Sequence, residues 1–187
     1  MRGRMGGTLV LALVLGGCMK VAPMPSLTET GARSAFTADG QKAAPLDFTV
    51  KRYPGGEPYA LSEDRGSVVL LDVWATWCEP CRDALPMYQD LAKHYASRGL
   101  KVYALNVDAD ARALPPFLAE TKVTLPVLLD AQAEVADQVL HVRGMPTTLL
   151  VDRQGLVRYV HEGFAEEFLT RYQTEIEELL EEPPHGR

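Results

Sequence analysis

Residues 67–74 read SVVLLDVW, a run of β-branched and aliphatic side chains broken by one carboxylate, Asp72. A strand wetted on one face alternates apolar and polar residues, so a nearly continuous apolar run marks a strand covered on both faces. Covered strands sit inside a sheet with layers above and below, which commits the surrounding chain to an α/β arrangement. The flanking segments agree. Ala84, Leu85, Tyr88, Leu91 and Tyr95 share one helical face, with Pro86 inside the helix as an expected kink. Gly99 ends that helix, and LKVYALNV, residues 100–107, reads as the next strand.

The remaining elements continue the alternation. Asp108 or Asp110 caps a helix through Glu120, with Pro115 and Pro116 in its first turns. LPVLLD predicts a short strand, AEVADQVLHV a short helix, and TTLLVDRQGLVRYVHEG two strands around an Arg-Gln-Gly turn. Ala165–Glu181 places Phe168, Tyr172, Ile176 and Leu179 on one face of a terminal helix. Upstream, extended runs at Asp47–Val50 and Pro58–Leu61 flank Pro-Gly-Gly and read as a hairpin. The expected fold is a mixed central sheet flanked by helices, carried by residues 45–182.

The first 17 residues do not belong to that fold. Arg2 and Arg4 precede an apolar run, Thr8–Leu15, and Gly16-Gly17 precede Cys18. This is the pattern of a secretory signal, and eight apolar residues are too few to span a bilayer core of about 30 Å. LGGC also resembles the bacterial lipobox, which implies lipidation of Cys18 and an anchor in a membrane. Residues 18–44, rich in Pro, Ser, Thr, Gly and Ala, are the expected spacer, and residues 183–187 an expected frayed tail. The 187-residue chain carries 19 basic and 25 acidic residues, a formal charge of −6, and its scattered basic residues disfavour nucleic-acid binding.

Two of the three cysteines, Cys78 and Cys81, stand in WCEPC directly after the covered strand. A structural zinc site needs two further ligands, and His94, His141, His161 and His185 are widely separated, each expected as an ordinary surface or edge residue. A purely structural disulfide would close a very small loop, which constrains the unfolded chain least. Redox chemistry accounts for each position. At a helix N-terminus backbone N–H groups favour a thiolate on Cys78, the expected exposed nucleophile. Cys81, one turn on, lies on the same face and is placed to attack a mixed disulfide formed by Cys78. Pro80 fits the first turn, where no donor is lost.

LLDVWATWCEPC, the helix after it and RGMPTTLLVD resemble the thioredoxin superfamily. The opening APLDFTV, the approach LSEDRGSVVLLDVWATWC and the additional strand and helix between Val123 and Val142 are similar to the TlpA/ResA-like exported thiol-disulfide oxidoreductases, some of which serve cytochrome c maturation. The resemblance covers residues 45–180. It implies a dithiol that works without a bound cofactor or metal, a disulfide-bearing protein as substrate, and a dithiol electron donor in the membrane. It further implies that Pro146 is a cis-proline beside the dithiol, that Met145 offers backbone groups to a substrate strand, and that Trp74 and Trp77 pack around the cysteines. Asp72 matches an aspartate that moves the proton of the second cysteine in thioredoxin, where many TlpA-like relatives have asparagine. Glu79 belongs to the site of ResA-like proteins. Its physical effect has two readings, an exposed charge supporting the helix start or a carboxylate that disfavours the neighbouring thiolate and makes the dithiol a better reductant. A metal-binding or partner-holding chaperone with an incidental dithiol is the alternative from another class, with His141 as its faint ligand candidate. A thiol peroxidase would need Pro and Thr where Leu71 and Ala75 stand.

Overall fold

The structure, a computed structural model, describes residues 44–183. The predicted signal, Cys18 and nearly all of the spacer and tail lie outside the described residues. Seven strands form one sheet: β1 (Thr49–Tyr53), β2 (Pro58–Ala60), β3 (Val68–Trp74), β4 (Leu100–Asn106), β5 (Val127–Leu129), β6 (Thr147–Val151) and β7 (Val157–Glu162). Their spatial order is β2-β1-β5-β4-β3-β6-β7. β3, β4 and β5 run parallel, and every other pairing is antiparallel. Three helices complete the fold, α1 (Glu79–Tyr95), α2 (Leu114–Thr121) and α3 (Leu169–Glu181).

The covered strand is central, as its composition requires. Every residue of β3 is buried, and alternate side chains serve two cores. Val68, Leu70 and Trp74 join a cluster with Tyr88 and Leu91 of α1, Phe117 of α2 and Ile176 of α3. Val69, Leu71 and Val73 join a second cluster with Phe48, Tyr59 and Leu61 of the N-terminal segment and Ala136 and Leu140 beyond β5. The N-terminal hairpin is therefore part of the sheet, since β1 pairs antiparallel with β5.

Several local expectations shift. The first hairpin strand begins at Thr49 and not Asp47, while β3 ends at Trp74 as the apolar run 67–74 implies. The expected helix after β5 is a single π-helical turn, Val135–Val139, whose Ala136 N–H donates to Asp130 Oδ2 at 2.8 Å. Ala133 just before it and His141 just after it hold positive φ, which bounds the turn at both ends. The terminal helix begins at Leu169, after a 3-10 turn over Glu166–Phe168. Its last turn is held by Arg153 from the β6–β7 turn, which donates to the carbonyls of Leu179, Leu180 and Glu182 at 2.7–2.9 Å. A cation there meets carbonyls that have no partner within the helix.

Candidate active site

β3 delivers the chain to α1 through residues 75–78, so the cysteines stand at the end of the most buried strand and the start of a helix. Cys78 is the N-cap of α1, and Pro80 falls in the first turn. Cys78 and Cys81 form a disulfide with Cα atoms 5.3 Å apart. Cys78 is less exposed than a free nucleophile was expected to be, at 6%, because it packs into the first cluster along with Cys81. Cys81 has no exposure at all, so of the two cysteines only Cys78 keeps an edge toward solvent.

The approach loop is fixed by a clamp that the sequence did not reveal. Asp108 accepts from the Thr76 N–H at 2.9 Å, from the Thr76 hydroxyl at 3.1 Å and from the Asn106 amide at 2.7 Å. Of the two expected caps, Asp108 and Asp110, it is Asp110 that caps, accepting from the Arg112 N–H at the 3-10 turn Ala111–Ala113 that leads into α2. Trp74 is buried, its ring 4.8 Å from Phe117 in the cluster that holds both cysteines. Trp77 departs from the expected packing. It lies past the end of β3 in the turn and is 70% exposed. Glu79 is 89% exposed with only a 4.0 Å approach to Arg82, so most of its field is screened by water.

Asp72 is fully buried, standing between Leu70 and Trp74 on the face of β3 that packs the cysteine cluster. Directly opposite it in the antiparallel pair with β6 is Thr148, whose hydroxyl donates to Asp72 Oδ1 at 3.0 Å. Asp72 Oδ2 is buried with no hydrogen-bond partner. Burial pushes the Asp72 carboxyl well above the usual carboxylate range, and the Thr148 hydrogen bond only partly opposes it. The pair of β6 with β7 then sets Thr148 opposite His161. His161 stands on the edge strand β7, within the expected surface or edge place, but is buried there because Glu175 of α3 meets its Nε2 at 2.5 Å and Arg171 reaches Glu175 at 3.0 Å.

In the loop before β6, the Met145–Pro146 peptide bond is cis. The loop is tied by the Thr147 hydroxyl donating to the Gly144 carbonyl at 2.7 Å, and Pro146 accepts from the Gly163 N–H at 2.8 Å. Met145 lines a groove of about 210 Å³ with Val73, Val107, Ala136, Val142 and Arg143. Among the described residues no group of three or more His, Cys, Asp or Glu side chains is placed to hold a metal, and His141 Nδ1 rests 3.2 Å from the Asp137 carbonyl. No helix among the described residues is long and apolar enough to cross a membrane.

This geometry has relatives. The model of the AhpC/TSA family matches residues 40–160. The thioredoxin-like protein YneN of Bacillus subtilis is 34% identical over 146 residues, covering 76% of this chain and 79% of its own. ResA, a thiol-disulfide oxidoreductase of Geobacillus kaustophilus, is 32% identical over 72% of this chain and 73% of its own. The chain belongs to the AhpC/TSA family as a ResA-like thiol-disulfide oxidoreductase. Solved structures agree on the thioredoxin-like fold. A Chlorobium tepidum protein assigned as the thiol:disulfide interchange protein DsbE superposes with a TM-score of 0.68 at 34% identity, over 73% of this chain and 94% of its own. The exposed lipoprotein thioredoxin Etrx1 of Streptococcus pneumoniae gives 0.62 at 26% identity, over 72% of this chain and all of its own. The oxidoreductase thus carries its cysteine pair on a fold that its relatives use for disulfide exchange.

Proposed function

We propose that this oxidoreductase is a lipid-anchored, extracytoplasmic reductase of protein disulfides. The observation that carries the reading is the buried Asp72, unpaired at Oδ2, on the sheet face that packs Cys78 and Cys81. A carboxylate without a cation is costly to bury, and its use is to take and return a proton.

The reduced dithiol begins the cycle. The Cys78 thiolate attacks one sulfur of a substrate disulfide; that bond breaks, and the released substrate sulfur takes a proton from water. A Cys78–substrate mixed disulfide remains. Asp72 accepts the proton of Cys81, whose thiolate attacks Cys78 Sγ, forming the Cys78–Cys81 bond and releasing the second substrate sulfur. Two electrons have passed to the substrate. Met145 and Pro146 hold the substrate segment as an added strand, with Trp77 as its exposed apolar wall. Glu79 disfavours the Cys78 thiolate, which makes the disulfide relatively more favourable and the dithiol more reducing. A membrane dithiol donor returns the enzyme to its reduced form, and apocytochrome c is one disulfide substrate that fits.

The anchor reading rests on LGGC before a spacer of about 25 residues, a length that lets the domain stand off a membrane. An exposed lipoprotein among the structural relatives supports it. Cys81→Ser should trap mixed disulfides through Cys78, and Cys18→Ala should release the protein from the membrane fraction. The dithiol reduction potential should lie near or below roughly −270 mV; a value near −120 mV means an oxidant instead.

A further inference from the structure

A row of buried polar side chains crosses the sheet on the face that packs the cysteine cluster. Asp72 of β3, Thr148 of β6 and His161 of β7 are successive register partners, so their side chains share one face. Two tyrosines cover the row. Tyr88 belongs to the buried stripe of α1 that also carries Cys81, about two turns or 10 Å further along the helix. Tyr172 belongs to the buried face of α3. Their hydroxyls close a small cluster: Tyr88 to Thr148 at 2.8 Å, Tyr88 to Tyr172 at 3.1 Å and Tyr172 to Thr148 at 3.4 Å.

Counting protons fixes the direction of these bonds. Each hydroxyl has one hydrogen to give. Thr148 gives its hydrogen to Asp72 Oδ1, so toward the tyrosines it is an acceptor. Of the two contacts that reach Thr148 the 2.8 Å one is shorter, so Tyr88 donates there and accepts from Tyr172, whose single hydrogen leaves the 3.4 Å contact unfilled, and the three short bonds run Tyr172 to Tyr88 to Thr148 to Asp72. A proton on Oδ1 would reverse this chain and return the last hydroxyl hydrogen to Thr148 along the 3.4 Å leg, the longest and weakest of the four. A proton on Oδ2 leaves all three short bonds in place and turns the one buried side-chain oxygen without a partner among the described residues into a donor.

We infer that the hydroxyl chain Tyr172–Tyr88–Thr148 holds Asp72 Oδ1 as a fixed acceptor, keeps the exchangeable proton on Oδ2, and sets the pH at which Asp72 takes the proton of Cys81. Thr148, Tyr88 and Tyr172 are positioning residues in this scheme, which rests on the proposed role of Asp72. The groups turned toward Asp72 are few. α1 supplies Tyr88, β6 supplies Thr148 and α3 supplies Tyr172, while Cys81 of α1 sits in the cluster that packs this face of β3. β4 places apolar Ala104 opposite it. Behind Tyr172 stand His161 of β7, its ring 4.6 Å away, with Glu175 and Arg171 of α3, and Glu175 engages both of the other two. No cation among these groups pairs with Asp72, so donation by the hydroxyl chain is its recorded support. Burial pushes both tyrosines above their usual range, which keeps them protonated as donors at any working pH.

The test uses the full reduced protein mixed with an excess of a chromogenic aromatic disulfide. Attack by Cys78 releases one coloured thiol, and resolution by Cys81 releases the second, in a separate phase. Thr148→Val keeps the shape and removes the donor; it should move the acid limb of the second phase to higher pH, slowing that phase about tenfold on the limb, with the first phase unchanged. Tyr88→Phe should move it the same way by less, and Thr148→Ser should restore the wild-type profile. A Thr148→Val protein whose second-phase limb stays in place, while Asp72→Asn abolishes that limb, overturns this inference and leaves the role of Asp72 standing. An acid limb that survives Asp72→Asn overturns both. A variant that slows both phases alike at every pH reports a structural effect and likewise counts against the inference, and Tyr88→Phe with Thr148→Ser supplies the comparison if Thr148→Val fails to fold.

Discussion

Two aspartates buried in the same domain face opposite fates. Asp64, at the end of the 3-10 turn Leu61–Asp64, accepts from the Tyr59 hydroxyl at 2.7 Å and from the Lys101 ammonium at 2.5 Å. Burial raises its carboxyl, but the hydrogen bonds from Lys101, Tyr59 and Tyr103 and the Lys101 charge outweigh it and hold the group below the usual carboxylate range. Asp72 has one hydroxyl donor and no cation, and burial wins. A buried carboxylate with a cation ties elements together, here the turn before β3 to β4; one without a cation is a place to keep a proton. The difference lies in the partners and in depth: Asp64 sits near the surface beside the half-exposed Lys101, and Asp72 is wholly removed from water.

Replacing Asp72 is the strongest way to break the comparison. Asp72→Asn should slow resolution by Cys81 on the order of 10²-fold, the usual reach of one general base, as read from the second thiol-release phase. The same variant should gain stability as pH rises. Because the folded Asp72 carboxyl lies above its unfolded value, its cost is absent below that unfolded value of about 3.9, grows as pH rises through the window between the two, and is complete above the folded value. Chemical denaturation of the two proteins should therefore diverge toward alkaline pH in favour of Asp72→Asn, by about 1–3 kcal/mol.

Removing the cation from the other aspartate should make the two alike. Lys101→Met should cost about 1–2 kcal/mol, moderated because the Lys101 side chain is half-exposed. The loss should be greatest near neutral pH. The depressed folded value of Asp64 gives stability that is present above the unfolded value of about 3.9 and fades as pH falls through the folded one, so wild type and variant should converge in acid. Glu79→Gln is the smallest change. With the carboxylate 89% exposed, the dithiol should become less reducing by under about 30 mV, less than a tenfold change in equilibrium.

The contrast also marks what could be read from the chain. The central sheet was legible because β3 and β4 are apolar runs and α1 and α3 repeat at helical steps, signals that need no knowledge of distant residues. The cysteine pair was legible by spacing, and Asp72 by being the one charge in an apolar strand. Thr148 was not, because its meaning depends on strand register with Asp72, which joins positions 76 residues apart. Tyr88 and Tyr172 counted only as apolar positions of their helices; periodicity registers the ring and ignores the hydroxyl. His161 was taken for a surface or edge residue because nothing local announces Glu175, which arrives from another element. The choice between Asp108 and Asp110 as the cap stayed open for the same reason, the partner of Asp108, Thr76, lying on the far side of α1 in sequence. Residues 135–139 kept a helical pattern too short to choose between an α-helix and the observed π turn. Local patterns placed the elements, and long-range polar pairs decided the chemistry.

The central claim is that Asp72 keeps a proton because it is buried without a cation. Carbon-13 NMR titration of the Asp72 carboxyl in the reduced protein, assigned against Asp72→Asn, tests it most directly. The midpoint should fall well above the ordinary value of about 3.9 and move when Cys81 is replaced by serine. A midpoint at or below the ordinary value, indifferent to Cys81, would contradict the account.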